Sequence, residues 1–173
     1  MTSLPPADLR SQLAALHRES YVWALRCCAG MPARAEDVLQ DSYLKILDGR
    51  ARFGGRSSFK TWLLALIRYT ALDETRKFAR HGARLADLEE APEQCTESLD
   101  VTVMRDECHG DLRALLATLP QRQQEALTLV FYHDLSIAEA ADVMGVTVGT
   151  ARTHYERAKK QLRESITSKP ALP

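Results

Sequence analysis

The residues best suited to chemistry lie near the C-terminus, in LSIAEAADVMGVTVGTARTHYERAKKQLRESI, residues 135–166. Ser136 and Glu139 stand at the spacing of a capping box, in which each side chain satisfies the other residue's backbone N–H at a helix start. Ala141 is small where two helices must approach closely. Gly145 falls where a tight turn needs positive φ, which glycine adopts without steric penalty. Ile137, Met144, Val146, Ala151 and Tyr155 can build the small core that fixes the angle between two helices. Thr147 can cap the second helix, whose outer face then presents Thr150, Arg152, Thr153, Glu156 and Arg157. A helix of this size fits the major groove of DNA, with early residues reaching base edges and later cations meeting phosphates. Arg152 and Arg157 can read guanine or grip phosphate, while Lys159, Lys160 and Arg163 add phosphate attraction.

Other chemistry is scarce. The chain shows no nucleophile–base constellation and no phosphate-cradling glycine loop, so we expect no catalytic residues, no cofactor and no enzyme activity. Its four cysteines form no CxxC pair and do not suggest a secreted disulfide framework. Cys27 and Cys28 sit in an apolar helical run that suits packing. Cys95, Cys108 and His109 are irregularly spaced in a polar stretch, which argues against a shared metal.

A DNA-reading helix pair does not choose between a stand-alone regulator, with an effector domain of the LuxR type, and one hand of a larger machine. The rest of the chain must decide. Its formal net charge is zero, but residues 86–111 hold nine acids against one base, which leaves the flanking parts mildly basic. No apolar run approaches the roughly 20 residues that span a membrane. The start, MTSLPPADLR, has neither a basic lead nor an apolar signal core, so a cytoplasmic protein without membrane insertion is expected.

The elements that must position these residues read as helices throughout. Residues 7–29 carry Leu9, Leu13, Leu16, Val22 and Leu25 at helical spacing, before Gly30 and Pro32 break the pattern. AEDVLQDSYLKILDG follows, with acids in its expected first turn and an end at Gly49. Val38, Tyr43, Ile46 and Leu47 are expected to face a core, leaving Asp37, Gln40, Asp41 and Leu44 on another face. Ser57 or Ser58 can cap the next helix, anchored by Trp62, Leu63, Leu66 and Ile67, beyond which Arg76, Lys77, Arg80 and Arg84 form a basic face. After the acidic stretch the pattern resumes, and Pro120 opens a helix through Phe131. The expectation is an all-α chain of two small helical domains, residues 7–84 and 111–168, joined by an acidic flexible linker over 85–110.

Three blocks, AEDVLQDSYLKIL, RFGGRSSFKTWLLALIRYTALDETRK and LPQRQQEALTLVFYHDLSIAEAADVMGVTVGTARTHYERAKKQL, occur in one order. Together they resemble a bacterial extracytoplasmic-function (ECF) sigma factor of the sigma-70 family, over residues from about 10 to 166. The resemblance implies a region 2-like bundle and a region 4-like helix-turn-helix, a specificity subunit that directs core RNA polymerase to promoters. It implies that Asp37, Gln40, Asp41 and Leu44 dock on the clamp helices of the β′ subunit, with the β subunit as a further contact. Trp62, Arg68, Tyr69, Asp73, Arg76 and Lys77 would open and hold the −10 element, where aromatic faces stack on bases and cations meet phosphates. Of these, Trp62 sits on the apolar stripe and suits the core better than a stacking platform. Thr147, Thr150, Arg152, Thr153, Glu156, Arg157 and Lys159 would meet the −35 element. The resemblance further implies an anti-sigma factor as partner and a linker that passes near the polymerase cleft. Two positions depart from the family pattern: Tyr69 stands where asparagine is common, and Val130 where an arginine often helps at the −35 DNA.

Overall fold

The computed structural model describes residues 6–85, 116 and 118–167. Every regular element among them is a helix, as the periodicity predicts. The chain divides into two compact units, Met1–Leu99 and Asp100–Pro173. The expected linker, with Cys95, Cys108 and His109, and the expected opening of the second domain at residues 111–115 lie outside the described residues.

The first unit is a bundle of three helices, α1 (Pro6–Cys27), α2 (Pro32–Leu47) and α3 (Phe59–Leu85), each packed on the other two. Its core joins Leu13, Trp23, Ala24 and Leu25 to Val38, Leu39 and Ile46 and to Leu63, Leu64, Ile67 and Ala71. Trp23 is fully buried, and its indole N–H donates to the Leu64 carbonyl at 3.0 Å, which satisfies the one polar atom of the ring. Between α1 and α2 the backbone turns left-handed at Ala29 and Gly30, and the Gly30 N–H closes the turn on the Leu25 carbonyl at 2.8 Å.

Pro32 opens α2 rather than merely ending its predecessor, since a first-turn proline lacks only an N–H that would go unpaired anyway. Glu36 and Asp37 therefore fall beyond the first turn, against expectation. Leu47 is a second correction: it is 49% exposed. At 100° per residue it shares a side of α2 with Glu36 and Gln40, not with buried Ile46. Of the two candidate caps for α3, Ser58 does the work, its hydroxyl accepting the Thr61 N–H at 3.0 Å.

The second unit holds α4 (Gln121–Phe131), α5 (Ile137–Met144) and α6 (Val148–Thr167), again mutually packed. Leu119, Leu127 and Ala158 form a buried cluster flanked by Leu116, Tyr155 and Leu162. Pro120 takes the cap position just before α4. Asp134 adopts φ 53° in the connection to α5, a left-handed turn made without glycine. No helix among the described residues is long and apolar enough to cross a membrane.

Candidate nucleic-acid and partner interfaces

The outer side of α2 carries Asp37 and Gln40, both exposed, and Leu44, 45% exposed. Asp41 is half-buried and paired with Lys45 at 2.8 Å, so its charge is largely answered within the helix. Leu47 extends this face, and α1 completes it. An open groove of about 570 Å³ runs between the two helices, lined by His17, Tyr21, Leu39, Tyr43, Leu44 and Leu47 among others. The Tyr43 hydroxyl lies 3.3 Å from His17 Nδ1, and burial pushes the Tyr43 phenol above its ordinary pKa. Gln40 and Leu44, named as contact candidates from the sequence, line this groove, together with His17, Tyr21 and Leu47, which the sequence reading did not place there. The available signal was the i, i+4 pair on α1 and the seven-residue step from Gln40 to Leu47.

On α3, Trp62 is half-buried in an aromatic cluster, its ring 5.5 Å from those of Phe53 and Phe59. Tyr69 is 62% exposed two turns further on. Arg68, by contrast, is only 8% exposed and offers little surface to a partner. Asp73 and Lys77 form an ion pair at 2.8 Å. The hydrogen bond from Lys77 holds the Asp73 carboxyl below its ordinary pKa, and the same bond raises the Lys77 ammonium. Arg76 and Arg80 are exposed beside them, with the Arg80 Nε donating to the Arg76 carbonyl at 3.2 Å. The α3 face thus runs from aromatic to cationic along the helix.

In the second unit the helix pair is built as its motif predicts. Ser136 Oγ accepts the Glu139 N–H at 3.2 Å, and the Glu139 carboxylate accepts the Ser136 N–H at 3.0 Å. Gly145 takes φ 65° at the end of α5. Thr147 Oγ1 accepts the Thr150 N–H at 3.2 Å, capping α6. Ala151 and Ala158 are buried while Thr150, Arg152, Thr153, Glu156 and Arg157 are exposed together, as expected. Lys159 lies 5.6 Å from the centroid of the Tyr155 ring, a cation–π contact that partly commits its charge. Tyr155 in turn stacks on Phe131, centroids 6.0 Å apart, and Phe131 is 64% exposed. Val130 is half-buried on α4.

No group of histidine, cysteine or carboxylate side chains among the described residues could hold a metal. Cys28 is buried, which pushes its thiol up to about 11 and removes it as a nucleophile.

The two helical units have counterparts in known proteins. Residues 13–81 match the family model for sigma-70 region 2, and residues 109–162 match that for sigma-70, region 4. The ECF RNA polymerase sigma factor SigC of Mycobacterium tuberculosis is 31% identical over 146 residues, 82% of this chain and 75% of that one. The chain belongs to the ECF sigma factors. A second relative, the ECF RNA polymerase sigma factor SigF of Caulobacter vibrioides, is 30% identical across 92% of this chain and 86% of its own. Among solved structures, the sigma factor RpoE from Bartonella quintana, crystallised with the anti-sigma factor NepR, aligns with a TM-score of 0.69 at 23% identity. That alignment covers 94% of this chain and 99% of RpoE. CnrH, in complex with the cytosolic domain of CnrY, aligns at 0.59 and 21% identity, covering 92% and 88%. At these identities the structures testify to the fold alone. As an ECF sigma factor the chain initiates transcription with RNA polymerase and performs no catalysis itself. The stand-alone regulator reading falls, because it left the whole region 2 match unexplained.

Proposed function

We propose a division of labour among the exposed faces of this sigma factor. Residues 7–84 bind core polymerase and open the −10 element, residues 111–168 grip the −35 element, and residues 85–110 link them. Asp37, Gln40, Asp41 and Leu44 on α2 meet the β′ clamp helices, and Leu47 adds apolar area to that contact. Trp62, Tyr69, Asp73, Arg76 and Lys77 on α3 handle the −10 strand, with Arg68 positioning the helix from within rather than touching DNA. Thr147 and Thr150 set the start of α6, and Arg152, Thr153, Glu156, Arg157 and Lys159 face the −35 duplex. Tyr69 replaces amide recognition of a −10 base with stacking, and Val130 supplies no cation beside the −35 DNA.

The observation that carries this reading is the chemical contrast within one bundle. An acid–amide–apolar surface stands on α2, and an aromatic-to-cationic one on α3. The first suits a basic protein helix, the second an unstacked single strand. The protein works in the cytoplasm, where polymerase meets promoter DNA. We further propose an anti-sigma partner, supported by the complexes in which RpoE and CnrH were solved. The test is run-off transcription with purified core polymerase on a genomic promoter library. Start sites sharing −10 and −35 elements are expected only when the chain is added, whereas tight sequence-specific binding by the isolated chain would contradict the assignment.

A further inference from the structure

The outermost row of α6 runs Gly149, Thr153, Glu156 and Lys160, directly opposite buried Ala151 and Ala158. Its neutral hydroxyls are already engaged. Thr153 Oγ1 donates to the Gly149 carbonyl at 2.9 Å, and the Thr147 and Thr150 hydroxyls share a hydrogen bond at 2.8 Å. What the row and its flanks offer a partner is therefore the cations Arg152, Arg157 and Lys160, the methyl of Thr153, and one carboxylate. That carboxylate, Glu156, stands one turn from both Arg152 and Lys160, and among the described residues it has no ion-pair or hydrogen-bond partner. Lys160 lies instead 3.9 Å from Glu164.

A free carboxylate in the middle of a surface that approaches phosphates weakens binding to any DNA, unless a base edge donates to it. In the major groove guanine offers two acceptors, thymine one acceptor, and adenine a donor flanked by its N7 acceptor. Cytosine alone offers the N4 amino donor with no acceptor beside it. We propose that Glu156 is a base-reading residue of the −35 helix, accepting a hydrogen bond from cytosine N4 and making cytosine the required base at one position. The inference rests on α6 being the −35 helix. Arg152 and Arg157, on either flank, are placed to take guanine acceptors nearby, so donor and acceptor alternate across the helix.

The test uses holoenzyme reconstituted from the full chain and core polymerase, on promoters randomised across the −35 region, with the retained DNA sequenced. Wild type should require cytosine at one position, every other base there lowering recovery about tenfold. Glu156→Ala should flatten that position alone. Glu156→Gln should move its preference to adenine, whose N6 and N7 pair with an amide. Both variants should bind non-cognate DNA more tightly than wild type at low salt, a gain that a merely structural residue would not produce. Unchanged preference at every position in Glu156→Ala overturns the proposal, as does any base other than cytosine at the affected position in wild type. A double variant, Arg152→Ala with Arg157→Ala, separates the two levels of the argument. If −35 preferences exist and depend on this pair but not on Glu156, only the cytosine contact fails. If randomisation costs wild type nothing, the assignment of α6 fails with it.

Discussion

Asp73 and Lys77 pair at 2.8 Å one turn apart on α3, so a lysine on the face assigned to the −10 strand arrives already neutralised. Among the described side chains, which do not include that of Arg84, the exposed cations left to meet phosphate there are Arg76 and Arg80. The pair sets the charge of this face through a carboxylate, not through the number of bases. Asp73→Asn should therefore strengthen single-strand binding by the holoenzyme and make it more sensitive to salt. The slope of log K against log salt should steepen by about 0.7 for the one phosphate contact that Lys77 gains. Titration of a fluorescent −10 strand at several salt concentrations reads this directly, and an unchanged slope would place Lys77 away from the strand.

Leu44 and Leu47 project from α2 beside the groove that α1 completes. Half-exposed leucines at the edge of a folded surface cost little stability to mutate, about 0.5 kcal/mol each. Leu44→Glu with Leu47→Glu should leave the unfolding midpoint nearly unchanged while lowering affinity for core polymerase at least about tenfold. A competition assay against labelled wild-type chain measures the second effect, and urea unfolding the first.

The turn between α5 and α6 depends on two local devices. Ser136→Ala removes a hydroxyl that serves the Glu139 N–H and should destabilise the second unit by about 1 kcal/mol. Gly145→Ala adds a Cβ at φ 65°, where open space surrounds it but the backbone conformation itself is strained, for a further cost of about 1 kcal/mol. Both should lower thermal midpoints and weaken −35 binding without altering which bases are preferred. A change of preference would mean that the turn does more than hold the angle.

Cys28 carries a pH signature. Its thiol ionises near 9.0 when exposed and near 11 in the folded bundle, because burial disfavours the thiolate. Below pH 9 both states hold the proton and the full stability is present. Between 9 and 11 the unfolded chain loses its proton first, so stability falls with rising pH, by about 2–3 kcal/mol in all. Urea unfolding across this range should show the loss, and Cys28→Ala should flatten it. Iodoacetamide at pH 8 should spare Cys28 until the chain is unfolded.

What could be read in advance divides along the range of the interactions. The Ser136–Glu139 box, Gly145 and the Thr147 cap are settled within a few residues of one another, and the order of residue types announces them. The aromatic cluster around Trp62 hid behind a stripe that reads as core, because Phe53 reaches it from the preceding loop. Trp23, which fills the centre of the first unit, was missed because its partner, the Leu64 carbonyl, lies 41 positions away and leaves no local trace. Arg68 reads as a strand contact by its type alone, and only the packing of three helices shows that it turns inward. Leu47 failed for a subtler reason: at a helix end, one residue's rotation separates a covered side chain from a bare one.

Two polar bonds tie α2 to α3. Lys45 Nζ donates to Thr70 Oγ1 and Arg34 donates to Thr75 Oγ1, each at 3.2 Å. Thr70 directly follows Tyr69, and Thr75 directly precedes Arg76. The helix assigned to the polymerase thus holds the helix assigned to the promoter at two points, each next to a residue meant for DNA. A displacement of α2 would be passed to α3 through those two bonds, beside Tyr69 and Arg76.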